Sequence, residues 1–432
     1  MADYLKGATA AAPERASAEV RQTVATMLAD VERRGDAAVR DLSRRLDDWA
    51  PDSFLVGPEE VEAATSSLPE ELKAHIAFAQ GRVRDFAERQ LETLSDLHVE
   101  TLRGVRLGHR HVPVGAVGAY VPGGRYPMLA SAFMTVLVPK VAGVERVVAA
   151  APPREGRGIH PAMLHAMATS GADQILCLGG VQALAALAFG TGELDRVDMI
   201  VGAGNAYVAE AKRQLFGRVG IDLLAGPTEV LVLADATADP ALVAADLLGQ
   251  AEHGPTSPAV LVTTSRELAA AVLAEIRLLL AWLPSREIAA AAWRARGEVV
   301  VARDRDEAIA LANDYAYEHV EVHADDLDAY LEGLRNYGSL FLGEHATVAF
   351  GDKAVGTNHV LPTAGAARYT GGLWVGKFLK TLTYQWLTEE GMRQIAPAAA
   401  AISEAELFPG HALTARMRLE RPPRRSPVGI GA

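Results

Sequence analysis

Glu229-Val230-Leu231-Val232-Leu233-Ala234 is an apolar run that opens on one charge, and the apolar stretch beginning at Asp239-Pro240 ends in Leu248-Gly249-Gln250-Ala251-Glu252-His253-Gly254-Pro255. The first run, rich in Val and Leu and short, reads as a buried strand. The second reads as a helix with Asp239 as its N-cap, Pro240 at its first position and Gly254-Pro255 as its stop. Strand followed by helix is the unit of an α/β fold. The helix ends in polar side chains. Gln250 and His253 are three apart, so they share one face of the last turn and can converge on a point such as a metal ion. A helix end facing water has the same look, and the stretch alone leaves both readings open.

Working outward, strands at Ala259 to Thr263, Val299 to Val301, Val320 to His323 and Ser339 to Leu342, with helices between them, predict that this α/β layer continues. Upstream, strands at Arg146 to Ala151, Gln174 to Leu178 and Val197 to Val201 alternate with helices at about 131 to 142, 160 to 170, 181 to 189 and 205 to 215. Such alternation implies parallel sheets with crossover helices, doubly wound, with ligands at the carboxyl ends of the strands. Residues from about 17 to 45 read as one amphipathic helix with Val20, Val24, Met27, Leu28 and Val31 on a single face, and 68 to 95 as a second. From Gly371 on the pattern is less periodic and suits a segment that wraps a partner subunit. Pro422 to Ser426 is a basic, proline-containing tail expected to be mobile.

The 432 residues suffice for two or three domains. Half are hydrophobic and only 6% aromatic, which suits Ala/Val/Leu-rich layers rather than a β-sandwich. A net charge of −12 argues against nucleic acid or an anionic membrane surface as partner, so an anionic substrate would need a few local cations. No stretch of about eighteen residues is apolar and uncharged, and Met1-Ala2-Asp3-Tyr4-Leu5-Lys6 is no leader, which together predict a cytoplasmic protein. The single cysteine, Cys177, sits in a buried-strand pattern and reads as core. A nucleophilic cysteine, as in thiohemiacetal-forming aldehyde oxidation, needs an electropositive helix start.

Glycine-rich strand ends, Tyr120-Val121-Pro122-Gly123-Gly124 and Gly202-Ala203-Gly204-Asn205, could bring backbone amides to a pyrophosphate, or be plain turns; neither is a Gly-x-Gly-x-x-Gly fingerprint. Glu318-His319 at a strand start offers two proton acceptors of different basicity. Asp352, and His359 within Gly356 to Thr363, lie in segments of Gly, Asp, Asn and His that compete with regular structure. His411 follows Pro409-Gly410. One Gln, two His and one Asp make an acceptable zinc donor set, which spacing alone does not assemble.

Taken together the segments resemble the histidinol dehydrogenase family over about residues 15 to 420. The motifs are long and in the family's order: Tyr120 to Gly124, Gly179-Gly180-Val181-Gln182-Ala183, Gly202 to Tyr207, Ala225-Gly226-Pro227-Thr228-Glu229, Gln250 to Pro255, Glu318-His319, Asn358 to Thr363, and Glu406 with His411. The resemblance implies two Rossmann-like doubly wound domains with small N- and C-terminal dimerisation segments. It places an N-terminal arm at 1–18, a metal and catalytic domain at 19–118 plus 229–372, an NAD domain at 119–228 and a C-terminal arm at 373–432. It further implies a homodimer with shared sites, one Zn2+ per site and NAD+. The zinc ligands fall on Gln250, His253, Asp352 and, from the neighbouring subunit, His411. Cofactor contacts fall on Tyr120, Gln182 and Asn205, proton acceptors on Glu318 and His319, and substrate contacts on Thr228, His359 and Glu406. Thr228 stands where the family usually has serine. The implied reaction oxidises a primary alcohol to a carboxylate in two hydride transfers, His319 taking the alcohol proton and Glu318 activating the hydrating water.

Departures from the enzymes of histidine synthesis cluster near this site: Arg125-Tyr126-Pro127-Met128 after the glycines, Tyr317 before Glu318, Lys353 after Asp352, and Thr357 for a proline. Two of them add positive charge. They resemble the sulfopropanediol 3-dehydrogenase branch, which oxidises 2,3-dihydroxypropane-1-sulfonate to 3-sulfolactate, with Arg125 and Lys353 as partners for an anionic head group. The alternatives are oxidation of L-histidinol or a related amino alcohol or polyol, and a non-catalytic zinc-binding dimer, which the intact Glu318-His319 pair argues against.

Overall fold

The short apolar runs become the strands of two sheets in the computed structural model, which describes residues 2–9, 17–123 and 126–421. Arg125 and the tail Pro422 to Ser426 lie outside these described residues. The chain divides into two units, Met1–Leu91 with Val114–Phe378, and Glu92–Pro113 with Leu379–Ala432.

The first unit holds both sheets of a mixed α/β fold. In one, the strands run Gln174–Cys177, Arg146–Ala151, Ala116–Tyr120, Met199–Val201, Gly220–Ile221, all parallel. In the other they run Asp3–Lys6, Gly297–Val301, Ala259–Thr263, Val230–Ala234, His319–His323, Ser339–Leu342, parallel except for the first, which adds to the edge antiparallel. Edge strand aside, both sheets place their strands third-second-first-fourth-fifth in chain order. Val230 and Val232 face one core and Leu231 and Leu233 another. With both faces covered, the strand reads as a continuous apolar run rather than an alternation.

The single amphipathic helix expected over 17–45 is two, Ala18–Arg34 and Asp36–Asp47, separated at Gly35. Gly35 has φ 56°, a left-handed conformation glycine adopts at little cost, and its amide closes the first helix on Val31 O. Val24, Met27, Leu28, Val31 and Leu42 pack with Leu184, Leu187 and Ala211 of the five-stranded layer. The sequence grouping puts these residues with the six-stranded layer instead. Amphipathicity fixes which face is buried, and not which partner covers it.

The second unit is an antiparallel sheet in the order Leu379–Leu387, Val105–Pro113, Leu97–Leu102, followed by helices Glu389–Ala405 and Pro409–Glu420. Residues Leu379 to Glu420 are therefore largely regular. Their weak pattern reflects exposure, since the middle of strand Leu379–Leu387 is exposed on both faces. Among the described residues no helix is long and apolar enough to cross a membrane.

Candidate active site

Helix Pro240–Ala251 starts as the sequence indicates, with Asp239 Oδ1 accepting the Ala241 amide at 2.8 Å. It runs back antiparallel to strand Val230–Ala234 and so delivers Gln250 and His253 to the amino end of that strand. Strand His319–His323 lies parallel beside it, with His319 opposite Val230. Thr228, Glu229, Glu318 and His319 thus meet at the amino ends of two neighbouring strands, and the short helix Val348–Lys353 adds Asp352. The general expectation of carboxyl ends fails for this cluster because the returning helix carries its polar residues at its C-terminus.

The contacts are close. The Gln250 amide donates to Thr228 Oγ1, and the Thr228 hydroxyl donates to Glu318 Oε2, which also accepts the Glu229 amide at 3.2 Å. His319 Nδ1 lies 3.1 Å from Glu229 O and 3.5 Å from Glu318 Oε2, and its Nε2 lies 3.5 Å from Asp352 Oδ1. His359 bridges Asp352 O at 3.0 Å and the Ser131 hydroxyl at 2.7 Å. Lys353 Nζ stands 3.7 Å from Asp352 Oδ2. His253, beyond the helix end and exposed, lies in the field of Asp352, Lys353 and His319. Six of the expected residues, Thr228, Gln250, Glu318, His319, Asp352 and His359, are brought into one hydrogen-bonded and ion-paired cluster. Glu406 and His411 belong to the second unit, where Glu406 caps helix Glu389–Ala405 and the exposed His411 ring lies 5.4 Å from that of Phe408.

Burial shapes the ionisation here. It pushes the Glu318 carboxyl up, against His319 and the Thr228 hydroxyl. Burial also opposes charge on His319, yet the Glu318 and Asp352 carboxylates outweigh it and hold that ring up at about 9. Asp352 is held well below the usual carboxylate range: burial opposes its charge, and His319, His359 and Lys353 prevail. Burial and the neighbouring Glu318 push Glu229 up to about 8. The raised value favours a ring protonated on both nitrogens; once the ring is neutral, with Nδ1 donating to the Glu229 carbonyl, its lone pair lies on Nε2, which is buried without a hydrogen-bond partner 3.5 Å from Asp352 Oδ1. In that neutral form the ring could accept a proton at Nε2. The amide nitrogen of Gln250 is occupied, which leaves its oxygen end; together with His253 nitrogen and Asp352 oxygen this donor set fits zinc.

The expected cofactor contacts gather at the carboxyl end of the five-stranded sheet. Tyr120 ends its strand, its hydroxyl accepts the Gly180 amide at 3.1 Å, and burial pushes it up to about 12. Gln182 donates to Asp47 at 2.8 Å while its Oε1 is buried without a partner. Asn205 is the N-cap of helix Ala206–Leu215, its Oδ1 accepting the Tyr207 and Val208 amides, so only its NH2 faces outward chemistry. Gly202 has φ 109°, and a Cβ there would come within 2.0 Å of Tyr120 O. Cys177 is 4% exposed and its thiol is pushed up to about 12 by burial and by the Glu60 and Asp47 charges, a core residue as read. Sequence reasoning missed Asp47, Ser131 and the role of Glu229. Each acts through a partner far along the chain, and only Glu229 stands inside a motif already singled out.

The histidinol dehydrogenase family model matches residues 10–419. The chain is 52% identical to a histidinol dehydrogenase homolog of Shouchella clausii over 98% of this chain and 99% of the relative. It is 50% identical to a sulfopropanediol 3-dehydrogenase of Ruegeria pomeroyi over 97% and 96%. The crystal structure of histidinol dehydrogenase from Elizabethkingia anophelis superposes with a TM-score of 0.90 at 34% identity, covering 95% of this chain and 94% of that one.

Proposed function

The chain belongs to the histidinol dehydrogenase family, as an oxidoreductase, and from that premise we propose that it oxidises a small primary alcohol through a bound aldehyde to the carboxylate, using NAD+ and zinc. One observation carries this reading: the buried Glu318–His319 pair beside Asp352, with His319 Nε2 buried, unbonded and able to accept a proton whenever the ring is neutral. The balance is RCH2OH, two NAD+ and water giving RCOO−, two NADH and three protons. His319 Nε2 takes the alcohol proton, which lets hydride leave the carbinol carbon. Glu318, desolvated and therefore more basic than an exposed carboxylate, takes a proton from the water that adds to the aldehyde. Thr228 and Gln250 hold Glu318 in place, and Ser131 with the Asp352 carbonyl fixes the His359 ring beside them. When bound, zinc supplies substrate positioning on Gln250, His253, Asp352 and the neighbouring subunit's His411.

The two parallel sheets are read as Rossmann-like. Tyr120, Gln182 and Asn205 then line the crevice at the switch point between strands Ala116–Tyr120 and Met199–Val201, where a dinucleotide binds in such folds. The arms at 1–18 and 373–432 are assigned to dimer contacts, with Glu406 and His411 completing the neighbour's site.

For the substrate we favour 2,3-dihydroxypropane-1-sulfonate, oxidised to 3-sulfolactate. Support comes from the 50% identical sulfopropanediol 3-dehydrogenase and from Lys353, half exposed beside Asp352, which with Arg125 suits an anionic head group. L-Histidinol is the second reading, favoured by the family and the Elizabethkingia anophelis structure. Initial rates of NADH formation on the two alcohols test the choice: a higher kcat/KM for the sulfonate is expected, and equal or better turnover of histidinol defeats it. Absence of NADH with both, zinc remaining bound, favours a non-catalytic dimer. In the same assay Glu318→Gln is expected to retain alcohol oxidation measurably while aldehyde oxidation falls ~100-fold or more, within the range for loss of a general base. Equal loss in both halves removes the water-activating role.

A further inference from the structure

Strand His319–His323 carries a row of polar residues on one buried face. Two positions beyond His319 stands Glu321, and two further His323; one turn before Gln250 on the facing helix stands Asp246. One ligand atom from each of Asp246, Glu321 and His323 lies within 4.8 Å of the other two. Glu321 is fully buried and His323 is 2% exposed. One oxygen of each carboxylate already has a donor, since the Thr347 hydroxyl reaches Asp246 Oδ1 at 2.9 Å and the Val348 amide reaches Glu321 Oε1 at 2.7 Å. What is left faces inward: Glu321 Oε2 and both ring nitrogens of His323 are buried without a hydrogen-bond partner, and His323 Nε2 stands 3.4 Å from Asp246 Oδ2.

Two carboxylates enclosed together repel each other and lose their hydration, so the fold favours whatever neutralises them, a proton or a cation. Polar atoms buried this deeply are otherwise nearly always paired. We propose that Asp246, Glu321 and His323 hold a divalent cation of their own, separate from the zinc assigned to Gln250, His253 and Asp352. Two carboxylate oxygens and one imidazole nitrogen are the donors of zinc or manganese sites, with water filling the remaining positions. The cation is structural. Its ligands sit on the helix that carries Gln250 and the strand that carries His319, and the same carboxylates hold Thr347 and Val348 at the start of the helix that carries Asp352. One ion there fastens the three elements on which the active-site cluster depends.

The proposal rests on the triad alone and is tested apart from the active-site zinc. Full-length wild type, His323→Gln, His253→Ala and the double variant are loaded with excess zinc sulfate, stripped of loose ion by gel filtration and analysed for zinc by mass spectrometry. Two zinc ions per chain are expected in wild type, one in each single variant and none in the double. A wild type holding one ion that survives His323→Gln and vanishes in His253→Ala overturns the proposal and leaves the active-site reading intact. One that vanishes in His323→Gln and survives His253→Ala supports the triad and removes the active-site zinc instead. A zinc-free wild type overturns both. Should His323→Gln fail to fold, anomalous scattering at the zinc edge from wild-type crystals decides, by a peak or no peak between Asp246, Glu321 and His323.

Discussion

His319 owes its proposed role to Glu229 twice over, through the carbonyl that fixes its tautomer and through a carboxyl that stays enclosed beside Glu318. Glu229 is 5% exposed and its pKa is raised to about 8, above the ordinary glutamate value near 4.5, so the folded state favours its protonated form. A raised folded-state pKa contributes stability that is full below about pH 4.5 and lost as pH climbs through about 8. Glu229→Gln keeps an oxygen to accept the Ala364 amide and removes the ionisation. Thermal melts from pH 5 to 8.5 are therefore expected to show wild type losing stability against the variant by an amount on the order of a few kcal/mol. Parallel curves would mean Glu229 ionises as freely in the fold as outside it.

Among elements, the segment from Gly202 to Asn205 shows how the turn proposed to face the cofactor is held. Lys212, 2% exposed, donates to Gly202 O at 2.8 Å and pairs with Asp222, while Asp222 Oδ2 accepts the Gly202 amide at 2.8 Å. Both groups of one glycine are thus gripped by one buried ion pair. Lys212→Met leaves Asp222 enclosed without its cation, a loss expected to destabilise by about 3–5 kcal/mol. Urea unfolding measures it, and a change below about 1 kcal/mol, the scale of an exposed pair, would show the pair to be ornamental. None of this was legible beforehand, for Lys212 reads as an ordinary helical lysine. Strands were legible wherever both faces are covered, as at Val230–Ala234, because the apolar run itself is the signal. The burial of the polar row His319, Glu321 and His323 was not legible for the same reason in reverse. Alternating polar residues normally mark a wet face, and only the helix returning over that face makes it dry. Gln250 and His253 could be suspected from spacing, while their meeting with Asp352, about a hundred positions on, depends on strand order that no local pattern encodes.

For the whole molecule, the second unit is too thinly cored to be left bare. Its helices meet over Ala396, Ala400 and Ala415, whereas Leu407, Phe408, Leu413 and Met417 beside His411 are exposed, as are Leu382, Tyr384 and Trp386 on its sheet. So much apolar surface next to an unused imidazole fits an interface at which His411 serves another subunit's site. Complementation separates that arrangement from a site completed within one chain. His411→Ala and His253→Ala are each expected to be inactive alone. Refolded together in equal amounts, half the dimers are mixed, and each mixed dimer has one site with both lesions and one with neither. Activity should then return to about a quarter of wild type. If His411 served its own chain, every site in the mixture would carry a lesion and no activity would return.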